Sequence, residues 1–493
     1  MSLDTVLLLG AVMLLAALGA ARLSSSLGLP SLLLFLVLGL ALGTFVPFDN
    51  AALAHDLGFA ALVLILAEGG FTTRWREIRP VLGLAALLAT LGVGVSIAAM
   101  AAFAHLVLGL DLSKAVLLGA ITAPTDSAAV FSVLRKVPVP GRLRAILEAE
   151  SGLNDAPVVL LTVAATAWAL GEPVHGGPVE LVGMIAFELL GGLILGVFIG
   201  WLGARVMKRI ALPASGLYPL GAMGWALLAY GSGVWLHVSG FAAVYLCAMV
   251  LGNSDLPHRN ATRSFAEGVG WVAQIGLFVM LGLLATPARM QPGTVLNGLL
   301  AGLFLTLIAR PLSVLACVTW FRMPWREQAF LSWAGLRGAV PIIMATVPLA
   351  SPLPVAPALF DLVFVFVVVY TTLQAPTLGW VARKLGVATG YDAVDIEVEV
   401  APLDKIQADF MQIKVPPGSH LHGVTIVELR LPPSTVVSLI IRDGTPFAPG
   451  ATDIIRGGDE LLVVVPSRYR DKVETRLKQV GRSGRLSRWH DDR

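Results

Sequence analysis

A succession of long apolar runs separated by short polar loops constrains this chain more than any other feature. A helix needs about 20 mostly apolar residues to cross the hydrocarbon core of a bilayer. Runs near that length fall at 4–21, 29–46, 54–70, 80–108, 113–134, 148–170, 180–204, 213–231, 235–252, 265–285, 294–319, 328–349 and 356–382, thirteen in all. Those at 80–108 and 294–319 are long enough to tilt or extend past the hydrocarbon. Only 14% of the 493 residues are charged and 56% are hydrophobic, where a soluble globular protein carries roughly 25% charged residues. Composition excludes an ordinary soluble enzyme, a disordered chain and a nucleic-acid binder. The chain reads as an all-α polytopic membrane protein whose first partner is the lipid bilayer.

The first run is expected to be a span and not a cleaved signal, because Asp4 stands where a basic segment would be. Basic residues set the orientation. One set of loops carries Arg22, then Arg74, Arg76 and Arg79, and so on to Arg383 and Lys384, 17 Lys and Arg in total. The alternate set carries only Lys114 and Arg289. The alternation never breaks, which predicts an outside N-terminus and a cytoplasmic C-terminus.

Thirteen spans divide as six, one, six, and a six-span unit repeated across an odd helix is inverted in the membrane, as in secondary transporters. Helix breakers fall at matching places. Run 5 contains Thr122-Ala-Pro-Thr-Asp126 and run 12 contains Gly335-Leu-Arg-Gly-Ala-Val-Pro341. Both put a charge where backbone groups are freed, which is tolerated only inside protein or around a polar cavity.

A charge at the bilayer centre costs at least about 2.5–3.5 kcal/mol. The acidic residues singled out within runs are Glu68, Asp126, Glu150, Asp155 and Glu188, with Arg310 and Arg337 as deep cations. The densest group is Glu150-Ser-Gly-Leu-Asn-Asp155. Helical spacing stacks Glu150 on Asn154 and Ser151 on Asp155. A carboxylate with a hydroxyl and freed carbonyls can ligate a dehydrated monovalent cation, and the same carboxylate can take a proton instead. Competition for one site is enough to couple the two. His55, His105, His175, His237 and His258 read as solvated or interfacial, and Cys247 and Cys317 as small buried hydrophobes.

Thr125-Asp126-Ser-Ala-Ala-Val, Glu150-Ser-Gly-Leu-Asn-Asp155, Ala309-Arg-Pro-Leu-Ser-Val314 and Trp333-Ala-Gly-Leu-Arg-Gly-Ala-Val-Pro341 occur in that order. Together they resemble the monovalent cation/proton antiporter family, in particular the bacterial NhaP-type Na+(K+)/H+ exchangers. The resemblance implies an NhaA-like fold with crossed broken helices and a transporter, not an enzyme, needing no cofactor. It implies Asp155 as the ion- and proton-carrying carboxylate, and Asn154 as the mark of electroneutral exchange. Ser151 and Thr125 would add ligands, so that a monovalent cation sits at Asp155, Ser151 and Thr125, with Glu68 nearby. Asp126 would cap a half-helix, and Arg310 would pair with Glu150, with Arg337 as a rival partner. Ala156 before Pro157, and Ser127, replace prolines usual in the family.

After residue 385 the charged fraction rises: 29 of the last 108 residues are charged, against 38 of the first 385. This divides an exchanger domain, 1–385, from a soluble tail. Residues 386–405 read as a linker or edge strand and 406–480 as a small α/β domain. That domain has strands near 409–415, 435–441 and 459–465, and helices at 424–431 and 471–480. Residues 481–493 read as a disordered tail. The order, with Ile455-Arg-Gly-Gly-Asp-Glu-Leu-Leu-Val463 before the last strand, resembles the C-terminal lobe of RCK/TrkA-type sensing domains. Such a lobe implies regulation of K+ transport, dimerisation and a small-molecule or nucleotide ligand.

The expectation is an inner-membrane K+/H+ exchanger, homodimeric, with Na+/H+ exchange as the alternative. An RCK-regulated cation channel is the further alternative, although the chain lacks a carbonyl filter segment.

Overall fold

The structure, a computed structural model, describes residues 3–27, 30–45, 48–126, 130, 139–172, 177–287, 290–388, 398–403, 408–416 and 418–483. Ser127, Arg135, Lys136, His175, Arg289 and 484–493 lie outside the described residues. The chain forms two compact units, Met1–Ala388 and Thr389–Arg493.

In the first unit a helix or helix pair falls within each predicted run, that of run 5 described as a helix only as far as Thr122. These are α1 (Leu3–Leu27), α2 (Ser31–Gly43), α3 (Ala51–Thr72), α4 (Trp75–Leu106), α5 (Leu112–Thr122), α6 (Gly141–Ala169) and α7 (Gly177–Met207). There follow α8 (Leu217–Trp235), α9 (Gly240–Gly252), α10 (Arg259–Leu284), α11 (Pro292–Phe321), α12 (Trp325–Ala334), α13 (Ala339–Leu349) and α14 (Ala356–Lys384). Among the described residues seven of these are long and apolar enough to cross a membrane, or eight if the bent pair α12–α13 is one span. Helices suit a lipid solvent because they satisfy their backbone hydrogen bonds internally.

The helices pack as two bundles. In the first, α10 lies along α2 and α3, α9 along α3, α7 and α8, and α1 along α2. Gly39 of α2 and Gly282 of α10 allow the closest approach: a Cβ on either would lie 2.0 Å from Val279 O or 2.2 Å from Leu36 O. In the second bundle, α5 packs on α4 and α6, α14 on α11 and α13, and α11 on α4. The bundles touch chiefly where α3 and α10 meet α13 and where α9 meets α6.

Two irregularities recur at matching places. Helices α4 and α11 each contain one π-turn, Leu88–Gly92 and Leu305–Ala309. The Ser313 hydroxyl of α11 donates to Gly92 O at 2.8 Å, which satisfies a carbonyl at the end of the α4 bulge. The two helix breaks form the second pair. Helix α5 stops at Thr122, leaving 123–126 non-helical, and 335–338 separate α12 from α13 with a bend of 50°.

The tail folds around one antiparallel sheet, order β1-β2-β5-β3-β4. Its strands are β1 (Val398–Leu403), β2 (Ala408–Lys414), β3 (Val436–Arg442), β4 (Thr445–Phe447) and β5 (Glu460–Pro466). Helix α15 (Arg470–Ser483) adds Val473, Leu477 and Val480 to a core with Met411, Ile413, Leu461 and Val463. The predicted helix at 424–431 is not formed. Only Val427–Leu429 makes a single 3-10 turn. The N–H groups of Ile426 and Val427 donate to Asp453 O and Ala451 O instead of to a preceding turn. Pro432 and Pro433 then bar extension.

Candidate cation and proton site

The two helix breaks cross each other, and their backbone groups are satisfied across the crossing. The Asp126 N–H donates to Leu336 O at 3.0 Å. The Asp126 carboxylate, through Oδ2, accepts the Ala339 N–H at 2.7 Å and so caps α13. An anion at a helix N-terminus is favoured by the exposed N–H groups and the helix dipole. In return Arg337 Nη1 donates to Ala123 O at 2.6 Å, a cation at the C-terminal end of α5. Thr371 of α14 donates its hydroxyl to Arg337 O. A Cβ on Gly338 would lie 1.9 Å from Asp126 Oδ2, so this crossing requires glycine there.

Helix α6 runs past this crossing. Glu150, Ser151, Asn154 and Asp155 are all buried on it. Pro157 lies inside the helix, which removes the N–H that would otherwise bond the Leu153 carbonyl. Glu150 pairs with Arg310 through two hydrogen bonds. Arg337 is therefore not the partner of Glu150. Thr125 Oγ1 is bonded to Ser151 Oγ at 2.9 Å and accepts from Asn154 Nδ2 at 2.8 Å. This chain ties the unwound segment of 123–126 to α6. Gly152 makes room for a side chain and not for a backbone: its Cβ would meet the Tyr245 ring of α9 at 2.7 Å.

Two buried oxygens of this cluster stay open. Asp155 Oδ1 and Asn154 Oδ1 have no hydrogen-bond partner among the described residues. Leaving a buried polar atom unbonded costs roughly 1–3 kcal/mol; Arg337 Nη2 and Arg310 Nε of the same constellation are likewise without a partner among the described residues. Asp155 lines a cavity of about 10 Å3, room for one water-sized sphere. Its other walls are Asp126, Gln274, Leu62, Ile65, Leu277, Phe278, Ala339, Val340 and Ile343. Leu62, Ile65, Gln274, Leu277 and Phe278 come from α3 and α10 of the first bundle, the rest from the second. The cavity thus sits in the seam between bundles, with one unbonded carboxylate oxygen in its wall.

The structure brings together Asp155, Asn154, Ser151, Thr125 and Asp126. Thr125, Ser151 and Asn154 are not among the residues lining the cavity; they brace its wall. Glu68 does not line the cavity either. It is half-buried on α3 and packs against Gly270 of α10, whose Cβ would lie 2.7 Å from Glu68 Cγ. Sequence reasoning missed Gln274, although it is the one amide or charged residue in the apolar stretch 268–284. It also missed Asp361, a buried acid on α14 away from the cavity wall.

The sequence profile of the sodium/hydrogen exchanger transmembrane family matches residues 11–384, and that of the TrkA-C domain matches 410–478. The chain is 32% identical over 501 residues to the K(+)/H(+) antiporter NhaP2 of Shewanella oneidensis, an alignment covering all of this chain and 86% of the relative. It is 32% identical to the K(+)/H(+) antiporter NhaP of Alkalimonas amylolytica, over 93% of this chain and 81% of that one. The fold superposes on the sodium proton antiporter MjNhaP1 of Methanocaldococcus jannaschii with a TM-score of 0.68 at 23% identity, covering 78% of this chain and 99% of that one.

Proposed function

Because the chain belongs to the sodium/hydrogen exchanger family, we propose that it is an electroneutral K+/H+ antiporter in which cation and proton compete for Asp155. The observation that carries this is the open, buried Asp155 oxygen in the seam between two helix bundles. Within the constellation the other charges offset one another. Glu150 is neutralised by Arg310, and Asp126 and Arg337 bring opposite charges to the same crossing. Asp155 is left as a single charge that either one proton or one monovalent cation cancels. Asn154, a neutral amide, adds none.

Coupling follows from desolvation. An ionised carboxylate without a counter-ion is costly away from water. The seam can open to the other side at low cost only when Asp155 carries its proton or its cation. A cation bound from one face is released at the other, and the carboxyl returns protonated. The net exchange is one cation for one proton, with no charge moved.

We take the thirteen segments as six, one and six in inverted repeats, with the N-terminus outside. Matched π-turns in α4 and α11 and matched breaks in runs 5 and 12 support the repeat. The distribution of 17 basic loop residues against two supports the orientation. The cell is taken to be bacterial, with the chain in its inner membrane as a homodimer. The tail, 406–480 after a linker at 386–405, lies in the cytoplasm and senses a small molecule or nucleotide. K+ is favoured by the names of the two K(+)/H(+) antiporters matched over 100% and 93% of this chain. Na+ is the second reading, favoured by the Na(+)/H(+) antiporter 1 of Methanocaldococcus jannaschii, 28% identical over 68% of this chain.

Proton flux in proteoliposomes, compared across K+, Na+ and Li+, tests the reading. Exchange with K+ should persist under an imposed voltage without change of rate and should vanish in Asp155→Asn. Voltage dependence would overturn electroneutrality, and exchange by a well-expressed Asp155→Asn would overturn the role of Asp155.

A further inference from the structure

We propose that His55 is an outer latch of the exchanger: by bridging to Thr346 it holds the arrangement that is closed to the outside, and so limits how readily the outer face takes up the cation. The proposal rests on the antiport and orientation readings above. His55 stands near the start of α3 and Thr346 near the end of α13. With the N-terminus outside, both of these ends are outer ones, so the two residues meet on the outer side of the seam. His55 Nδ1 lies 3.4 Å from Thr346 Oγ1. The Thr346 hydroxyl gives its single hydrogen to Ile343 O at 2.6 Å. The ring nitrogen is therefore the donor across the seam. His55 is half-buried and Thr346 wholly buried, so water cannot readily take the place of either.

Each partner is tied to its own bundle. The His55 ring packs on Phe59 with centroids 4.3 Å apart, Phe59 on Phe241 of α9 at 5.6 Å, and Phe241 on Tyr230 of α8 at 5.3 Å. This aromatic row fixes His55 to the first bundle. Thr346 lies one helical turn from Ile343, which lines the Asp155 cavity. The apolar contact beside the latch is close as well: a Cβ on Gly58 would lie 3.6 Å from the Ile343 side chain. A route from Asp155 to the outside along this seam has to part α13 from α3. That motion breaks the His55–Thr346 contact but leaves the Asp155 constellation, which lies within the second bundle, intact. A contact made in one of two states biases the equilibrium toward that state. Apparent affinity at the outer face is reduced by the fraction of molecules open to it, and the latch keeps that fraction small.

Initial rates in right-side-out and everted membrane vesicles test this, with K+ varied on the outer or the cytoplasmic face. His55→Phe keeps the ring on Phe59 and removes the donor; Thr346→Val keeps the shape and removes the acceptor. In each, the outer-face KM for K+ should fall about threefold, the low end for one hydrogen bond, as suits its length. The cytoplasmic-face KM should stay or rise, a split that a general loosening of the fold would not produce. The double variant should do no more than either single one. His55→Asn, which keeps a donor near the place of Nδ1, should hold the parental values. If His55→Phe inserts poorly, Thr346→Val reads the same contact from the other side. An unchanged or raised outer-face KM, equal falls at both faces, or additive effects in the double variant would overturn the latch. Asp155→Asn in the same vesicles separates the two levels. If it still exchanges, the antiport reading falls; if it is inactive while His55→Phe and Thr346→Val match the parent at both faces, only the latch falls.

Discussion

Glu150 of α6 and Arg310 of α11 meet through two hydrogen bonds, Nη1 to Oε1 at 2.5 Å and Nη2 to Oε2 at 2.8 Å. Both side chains are almost wholly shielded, 2% and 4% exposed. The pair fastens two predicted half-repeats together beside the site without contributing a net charge to it.

Removing one partner strands the other charge in a dry interior. Arg310→Ala or Glu150→Ala should lower stability by about 3–5 kcal/mol, while removing both as Glu150→Leu with Arg310→Met should recover most of it. Thermal unfolding of the detergent-solubilised variants as a double-mutant cycle checks this. If the double variant were no more stable than the singles, the pair would not be a self-contained structural bridge.

Gly338 predicts a second outcome. Its missing Cβ is where Asp126 Oδ2 sits, 1.9 Å away. Gly338→Ala must displace the carboxylate or the start of α13, costing about 1–3 kcal/mol by overpacking. The cap on Ala339 is lost with it. Transport should fall about fivefold or more if that strain falls on the transport step, since about 1.4 kcal/mol is a factor of ten in rate. Asp126→Asn, which keeps an acceptor oxygen, should be milder than Asp126→Ala. A fully active Gly338→Ala would show that the crossing is not needed for exchange.

Much of this was legible in the sequence for a physical reason. Lipid forbids isolated charges and open backbone, so Asp155, Asp126, Glu150 and Arg310 stand out against apolar runs, and Thr122–Asp126 and Gly335–Pro341 announce breaks. What stayed hidden depends on partners far along the chain. Nothing local chooses Arg310 over Arg337 for Glu150; that follows from Ala123 O being within reach of Arg337. Gln274 carries no charge and looks like any surface amide until Asp155 faces it across the seam. In the tail, residues 424–431 have a helical look, yet the N–H groups of Ile426 and Val427 are claimed by Asp453 and Ala451, which no periodicity reveals.

The chain Asn154–Thr125–Ser151 braces the unwound segment against α6. Thr125→Val keeps the shape and removes the hydroxyl, leaving the Asn154 amide and the Ser151 hydroxyl unpaired in a buried place. The expected cost is about 1–3 kcal/mol, with a raised KM for the cation. Thr125→Ser should restore both. Exchange rates against cation concentration, with thermal unfolding alongside, would show whether stability and KM move together. A Thr125→Val protein with parental values in both would remove this chain from the site.

In the tail, Asp459 is buried against Arg442. Nε donates to Oδ1 at 2.8 Å and Nη2 to Oδ2 at 2.7 Å, while the Arg456 N–H donates to Oδ2 at 2.8 Å. Burial pushes the Asp459 carboxyl up, but the hydrogen bonds and charge of Arg442 and the Arg456 N–H outweigh it and hold it below the usual carboxylate range. A carboxyl lowered by folding contributes stability that is complete above its unfolded value, about pH 4, and is lost as pH falls through its folded value. The sheet should therefore hold from neutral pH down to about pH 4 and loosen below it. Hydrogen exchange across 408–483 in the full-length protein, corrected for intrinsic rates, should show protection dropping in that acid window. In Asp459→Asn protection at pH 7 should already be lower, by about 1.5–3 kcal/mol for the lost charged hydrogen bonds, and the acid step should shrink. An unchanged acid step in the variant would assign the pH dependence to another carboxyl.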